Sequence, residues 1–239
     1  MIHSPLSSQP LFFVGPVPIG AQVLTTWAII ALAFLFARWL TRRLSPQPGR
    51  LQVLAELFLT VLQNQIRDTV RVDPAPYVPL IGSLFLFILC ANLSSLAPGV
   101  EAPTAHIETD AALALIVFCA IVVFGIRSRG AIGYLKSFAD PSWIMVPLNL
   151  VEAVTRTFSL MVRLFGNMMS GAFVIGIVLS LAGLFVPIPF MALDLLVGVI
   201  QAYIFSVLTL VFIGAAIGDE APHPQAIPTD AIDTHKENA

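Results

Sequence analysis

The chain has 239 residues, of which 57% are hydrophobic and only 11% charged, and its mean hydropathy is +0.90. Soluble domains are roughly half apolar and a quarter charged, so this composition reads as a membrane protein. Its 12 basic and 14 acidic side chains nearly cancel. No basic cluster is interleaved with aromatics, which excludes a nucleic-acid partner.

Taken in chain order, residues 1–20 lack the positively charged start of a secretory leader, and they are expected to remain as an external N-terminal segment. The first apolar run, "AQVLTTWAIIALAFLFARWL" from about 21 to 40, is long enough to span. It ends at Arg38, Arg42 and Arg43 before the breaker "SPQPG", and the positive-inside rule makes that end cytoplasmic. Residues 51 to 71 put Leu51, Leu54, Phe58 and Leu62 on one helical face and Glu56, Gln63, Asn64, Arg67 and Asp68 on the other. Such a segment is too polar to span and is expected to lie as an amphipathic helix on the cytoplasmic side.

A second span, about 77 to 97, carries Asn92 and serines as its polar side chains and leads into "APGVEAPTAHIETD", a loop with Glu101, Glu108 and Asp110 but no lysine or arginine. The loop belongs outside by the same rule. A return span from about 111 to 126 reaches Arg127, Arg129 and Lys136. The apolar stretch from about 143 to 186 is close to twice the length that a hydrocarbon core requires, so a helix there must tilt or extend beyond it. The breaker "VPIP" separates it from a last apolar segment, about 190 to 217, and a polar tail follows from Gly218. The expected fold is therefore all-α and polytopic. It has about five spans, two of them long and tilted, plus the amphipathic helix, within a single transmembrane domain over 21–218. The tail, 219–239, is expected in the cytoplasm.

Within the long stretch, Glu152, Arg156, Ser159, Arg163, Asn167 and Ser170 recur at spacings of 4, 3, 4, 4 and 3. That periodicity lines one helical face. An arginine at the bilayer centre costs about 2.5 to 3.5 kcal/mol on insertion scales and stays protonated. Arg163 could snorkel to an interface or close a structural ion pair. A continuous polar stripe favours a third reading, because lipid cannot satisfy it and it must face water, an ion path or polar partners. Gly166, Ser170 and Gly171 add small residues beside it, where another helix can approach closely. The last segment carries a matching seam of Asp194, Gly198, Gln201 and Thr209. Asp194 lies a turn past "VPIP", where an interfacial carboxylate is the plain alternative to a pathway residue. Gln201 offers donors and an acceptor to Arg163 or to an ordered water.

These residues carry a resemblance. "SLMVRLFGNMMSG" resembles the signature of subunit a of the F-type rotary ATP synthase, and "VIQAYIFSVLTLVFIGAA" is similar to that family's last helix, over about 75 to 218 in all. "NLSSLAPG", "TAHIETDAALAL" and "MVPLNLVEAV" occur in family order. The resemblance implies a stator that packs two long helices against a ring of c subunits, with half-channels open to opposite sides and with peripheral-stalk b subunits and other synthase subunits as partners. It also implies that Arg163 is the stator arginine, with Asn167 and Gln201 beside the ion path. A fixed cation there lowers the proton affinity of a passing ring carboxylate and blocks a direct leak. Ala172 and Asp194 depart from the family's usual glutamate and histidine, so one titratable group is missing and sodium stands beside the proton as a possible coupling ion. Asp194 joins the ion-translocation set, and Glu152, Arg156, Ser159 and Ser170 are candidate lining.

No cofactor is expected and no catalytic residue is assigned. The P-loop, HExxH and GxSxG patterns are absent, so ATP chemistry would belong to partner subunits. Cys90 and Cys119 lie in apolar runs without metal-ligand spacing and read as packing residues. His3, His106, His223 and His235 are scattered over loops and termini. A secondary ion transporter or channel is the alternative class, but such folds often show internal repeats and none is visible here. A purely structural anchor would have no use for the Arg163 stripe.

Overall fold

A computed structural model describes residues 10–14, 17–42, 49–95, 102–138, 143–183 and 185–218. The expected cytoplasmic tail 219–239, the first nine residues and all of "APGVE", with Glu101, lie outside the described residues. An antiparallel hairpin, β1 (Pro10–Val14) and β2 (Val17–Gly20), precedes the helices. The charge argument gave no hint of it. The described elements after it are all helical: α1 (Ala21–Arg42), α2 (Arg50–Val70), α3 (Val78–Ser94), a 3-10 turn (Pro103–Ala105), α4 (Ile107–Phe138), α5 (Met145–Ala182) and α6 (Pro187–Ile217).

Among the described residues three helical segments, Ile107–Lys136, Val146–Leu181 and Pro187–Ile217, are long and apolar enough to cross a membrane. Two shorter apolar segments, Val23–Trp39 and Val78–Ser94, complete the set. The chain is thus an all-α, polytopic membrane protein. At 1.5 Å per residue the 38 residues of α5 extend roughly 57 Å, well past a hydrocarbon core of about 30 Å. Pro147 falls in the first turn of α5, where a missing N–H breaks no helical hydrogen bond. The "VPIP" breaker acts as expected: α5 ends at Ala182 and α6 starts on Pro187. The return helix is longer than its apolar core, because it continues through a kink at Gly130, whose φ of 75° suits glycine.

Helix α6 is the hub. One apolar cluster joins Leu84 and Ile88 of α3, Leu113 and Val117 of α4, Leu160 and Leu164 of α5, and Ala202 and Phe205 of α6. A second joins Leu62 and Ile66 of α2, Tyr77 and Ile81 at the start of α3, and Leu210 and Ile213 near the end of α6. The two clusters fix directions: α3 and α5 run antiparallel to α6, and α4 runs parallel to it. Arg129 of α4 closes the far end by donating from Nε to the Ile217 carbonyl at 2.7 Å. A cation there complements the carbonyl-rich C-terminus of α6.

The amphipathic reading of α2 needs one refinement. Its packed side is Phe58, Leu62, Ile66 and Val70, whereas Leu51 and Leu54 are exposed with Leu57 and Val61. The first half of α2 therefore lies beyond the bundle, because α3 and α6 offer an apolar partner only to its second half.

Candidate functional site

The α5–α6 hairpin sets the geometry. Near one end, the Arg156 guanidinium lies 5.3 Å from the Phe212 ring centroid. Near the other, Gly171 of α5 approaches Asp194 of α6 so closely that an added Cβ would collide with the carboxylate. Between them Leu160 and Leu164 pack with Ala202 and Phe205. Pairing therefore steps along the two helices nearly one residue for one. Asn167 falls level with Gly198, and Arg163 lies a little past Gln201.

The stripe is continuous on an unbroken helix, and it flanks the packed side instead of facing the core. Glu152, Ser159, Arg163 and Ser170 are exposed, and Arg156 and Asn167 are half-buried. Arg156 is committed within the chain, because it pairs with Glu152 and stacks on Phe212. Arg163 differs: it has no ion-pair or hydrogen-bond partner among the described residues, and the exposed apolar side chains Phe158 and Val162 lie near it. In lipid, an unpaired, permanently charged group on an apolar surface carries a cost in free energy.

On the facing helix Gln201 is only 6% exposed, and its amide nitrogen has no hydrogen-bond partner. It does not bond to Arg163, so the two predicted partners lie at similar levels without a hydrogen bond between them. Thr209 is absorbed by its own helix and donates to the Phe205 carbonyl at 2.8 Å. Asp194 does meet the stripe. A cavity of about 180 Å³ between the two helices is lined by Asn167, Ser170 and Gly171 from α5 and by Asp194 from α6, with Val174 and Val197 among its apolar walls. Asn167 also has a buried amide nitrogen with no partner. The cavity offers a carboxylate, an amide and a hydroxyl to water or to a small ion. Among the described residues no group of three or more histidine, cysteine or acidic side chains could hold a metal.

Sequence reasoning missed a second polar layer. Asn92 of α3 donates from Nδ2 to the Gly198 carbonyl at 2.8 Å, and its Oδ1 accepts from the Thr104 hydroxyl at 2.9 Å. The α3–α6 approach is close because residue 198 is glycine: a Cβ there would lie 3.0 Å from the Asn92 Cβ. Asp110, assigned to the external loop from sequence, stands instead in the first turn of α4 and is fully buried. The available signal was its spacing, since Asp110, Leu113 and Val117 share one helical face.

Comparison with known proteins gives a consistent answer. The family model described as ATP synthase A chain matches residues 23–214. The chain is 58% identical over 221 residues to ATP synthase subunit a 2 of Bradyrhizobium sp. strain BTAi1, covering 92% of this chain and 99% of that one. It is 42% identical to ATP synthase subunit a of Albidiferax ferrireducens, covering 88% of this chain and 92% of that protein. Against ATP synthase subunit a 1 of Chlorobaculum parvum the identity is 45%, with 84% and 90% covered.

Proposed function

The chain belongs to the ATP synthase subunit a family, and from that premise we propose that it is the ion-translocating stator that couples ion flow to rotation of a ring of c subunits. It is a multi-pass subunit of an ATP synthase complex, and the chemistry on ATP belongs to other subunits. The observation that carries the finer reading is Arg163, an exposed guanidinium without a partner among the described residues, one helical turn from the cavity that Asn167, Ser170 and Asp194 line.

In this reading the exposed face of α5 lies against the ring. A carboxylate of a c subunit arriving beside Arg163 is stabilised in its ionised form, so it releases its ion. Because arginine cannot pass on its own proton, the same group separates the two half-channels. The cavity lined by Asn167, Ser170 and Asp194 serves the half-channel at the Pro187 end of α6, which the charge bias puts outside. Gln201 orders the amide and water contacts near the arginine. Ser159 and the Glu152–Arg156 pair line the opposite side of the arginine level. The five apolar helices within 21–218 form one transmembrane domain in contact with lipid, the tail 219–239 is cytoplasmic, and peripheral-stalk b subunits hold the stator still. Protons are the coupling ion in this account. Sodium predicts instead that pumping depends on sodium and persists when a protonophore collapses the pH gradient.

The test is Arg163→Ala in the whole complex, reconstituted in vesicles. ATP-driven ion pumping should be lost while the complex still assembles, because this side chain takes no part in internal packing. Normal coupled pumping by the variant overturns the assignment.

A further inference from the structure

Four buried side-chain atoms among the described residues have no hydrogen-bond partner: both carboxylate oxygens of Asp110, Nδ2 of Asn167 and Nε2 of Gln201. Unsatisfied buried polar groups are rare, and each calls for an explanation such as ordered water or a transported ion. Asp110 is the most costly of the three if ionised. It is 0% exposed, and neither oxygen receives a donor.

The register of the bundle places Asp110 in depth. Leu113 of α4 belongs to the cluster that contains Ile88, Leu164 and Ala202. One turn from that cluster toward the Pro187 end of α6 come Asp110 on α4, Asn92 on α3, Asn167 and Met168 on α5, and Gly198 on α6. The Asn92–Gly198 hydrogen bond fixes that level for α3 and α6. One turn farther in the same direction lies Asp194 with its cavity, and one turn the other way lies the Arg163–Gln201 level. Asp110 therefore stands in depth between the cavity carboxylate and the arginine. Asp194 and Gln201 are seven residues apart on α6, about 10 Å along the axis, too far for one hydrogen bond.

We propose that Asp110 is a proton-exchanging residue of the translocation path, in the layer between the Asp194 cavity and Arg163. The inference rests on the stator reading above. Its carboxyl gains a proton from water admitted at the Asp194 side, forming an O–H bond. It then returns to the carboxylate by giving that proton to water held by the Asn167 and Gln201 amides. No bond changes remain after one cycle. A proton suits this site better than sodium, since a hard metal cation needs a cage of several oxygens and no such acidic cluster exists among the described residues. The charged side chains on the helices packed against α4 are Glu152, Arg156 and Arg163 on α5 and Asp194 on α6. The 3-10 turn adds none, and Glu108 is the other acid in the first turn of α4.

The test uses the complete synthase in inverted vesicles without sodium, comparing wild type, Asp110→Asn, Asp110→Glu and Arg163→Ala for subunit content, ATP-driven acidification and passive proton conductance after removal of the soluble sector. Asp110→Asn, close in shape to the native residue, should assemble normally yet lose about tenfold or more of its acidification and passive conductance. Asp110→Glu should recover much of both and move the pH profile of the rate. Wild-type rates in Asp110→Asn, or a loss explained entirely by lower subunit content, would overturn the inference. If Arg163→Ala also pumps normally, the stator reading fails; if only Asp110→Asn does, that reading stands and Asp110 alone is reassigned to packing.

Discussion

Two faces of one helix are built on opposite rules. On α5, Leu160, Leu164 and Met168 are buried, and the two leucines join α5 to the other helices. About a quarter-turn away, Ser159, Arg163 and Ser170 stand exposed. Packing explains the first face completely and the second not at all. A guanidinium on an apolar surface is kept at a cost in insertion free energy, and no ion pair or hydrogen bond among the described residues offsets that cost. Arg156 makes the contrast sharper, because the same residue type one stripe position earlier is held by Glu152 and Phe212. What separates the two arginines is the presence of an internal partner, and only the unpaired one is available to an external carboxylate.

This contrast can be broken or sharpened by substitution. After the loss of pumping expected for Arg163→Ala, the largest effect is expected at the cavity: Asp194→Asn should slow ATP-driven pumping by about tenfold or more, with assembly intact, and adding Ala172→Glu should restore part of the rate. Unchanged rates for protons and sodium would reduce Asp194 to an interface carboxylate. Next, Leu164→Ala on the packed face should destabilise the bundle by about 2 kcal/mol or more, read as a lower midpoint in detergent melting, with pumping per assembled complex preserved. Gly198→Ala forces Asn92 away from its carbonyl partner and should cost on the order of 1 to 3 kcal/mol. Its melting midpoint should fall alongside that of Leu164→Ala. The smallest effect is expected at Thr104→Val, which removes one hydrogen bond to Asn92 and should lower stability by about 1 kcal/mol. A larger loss of pumping than of stability in this last variant would move the Asn92 layer from scaffold to pathway.

Much of this architecture was legible because its signals are local. Apolar length set the long α5 and α6, the proline breaker set the join between them, and a spacing of three and four residues set the Arg163 stripe. Two of the features that escaped are relations between separate segments. Asp110 read as a loop acid because charge sits naturally beside "HIET". Its burial appears only in the packed bundle. Asn92 looked like an isolated polar residue in a span until Gly198 and Thr104 were brought to it, across 106 and 12 residues of sequence. The hairpin at Pro10–Gly20 escaped for a related reason: its short, proline-containing strands carry no clear alternation. Periodicity likewise put Gln201 and Arg163 on facing helices, but it could not say that one would be buried and the other exposed.

The central claim is that the exposed face of α5 lies against the c-subunit ring, and cysteine crosslinking reads it most directly. Cysteines placed singly at Gly166, Ser170 and Leu164 can be combined with a scan of cysteines along the outer helix of the c subunit in assembled membranes. Gly166 has open space where a side chain would go, Ser170 is exposed, and Leu164 is fully buried. The account predicts disulfide crosslinks from positions 166 and 170 and none from position 164. Crosslinks from position 164 alone, or none from any of the three in a complex shown to contain both subunits, would contradict it.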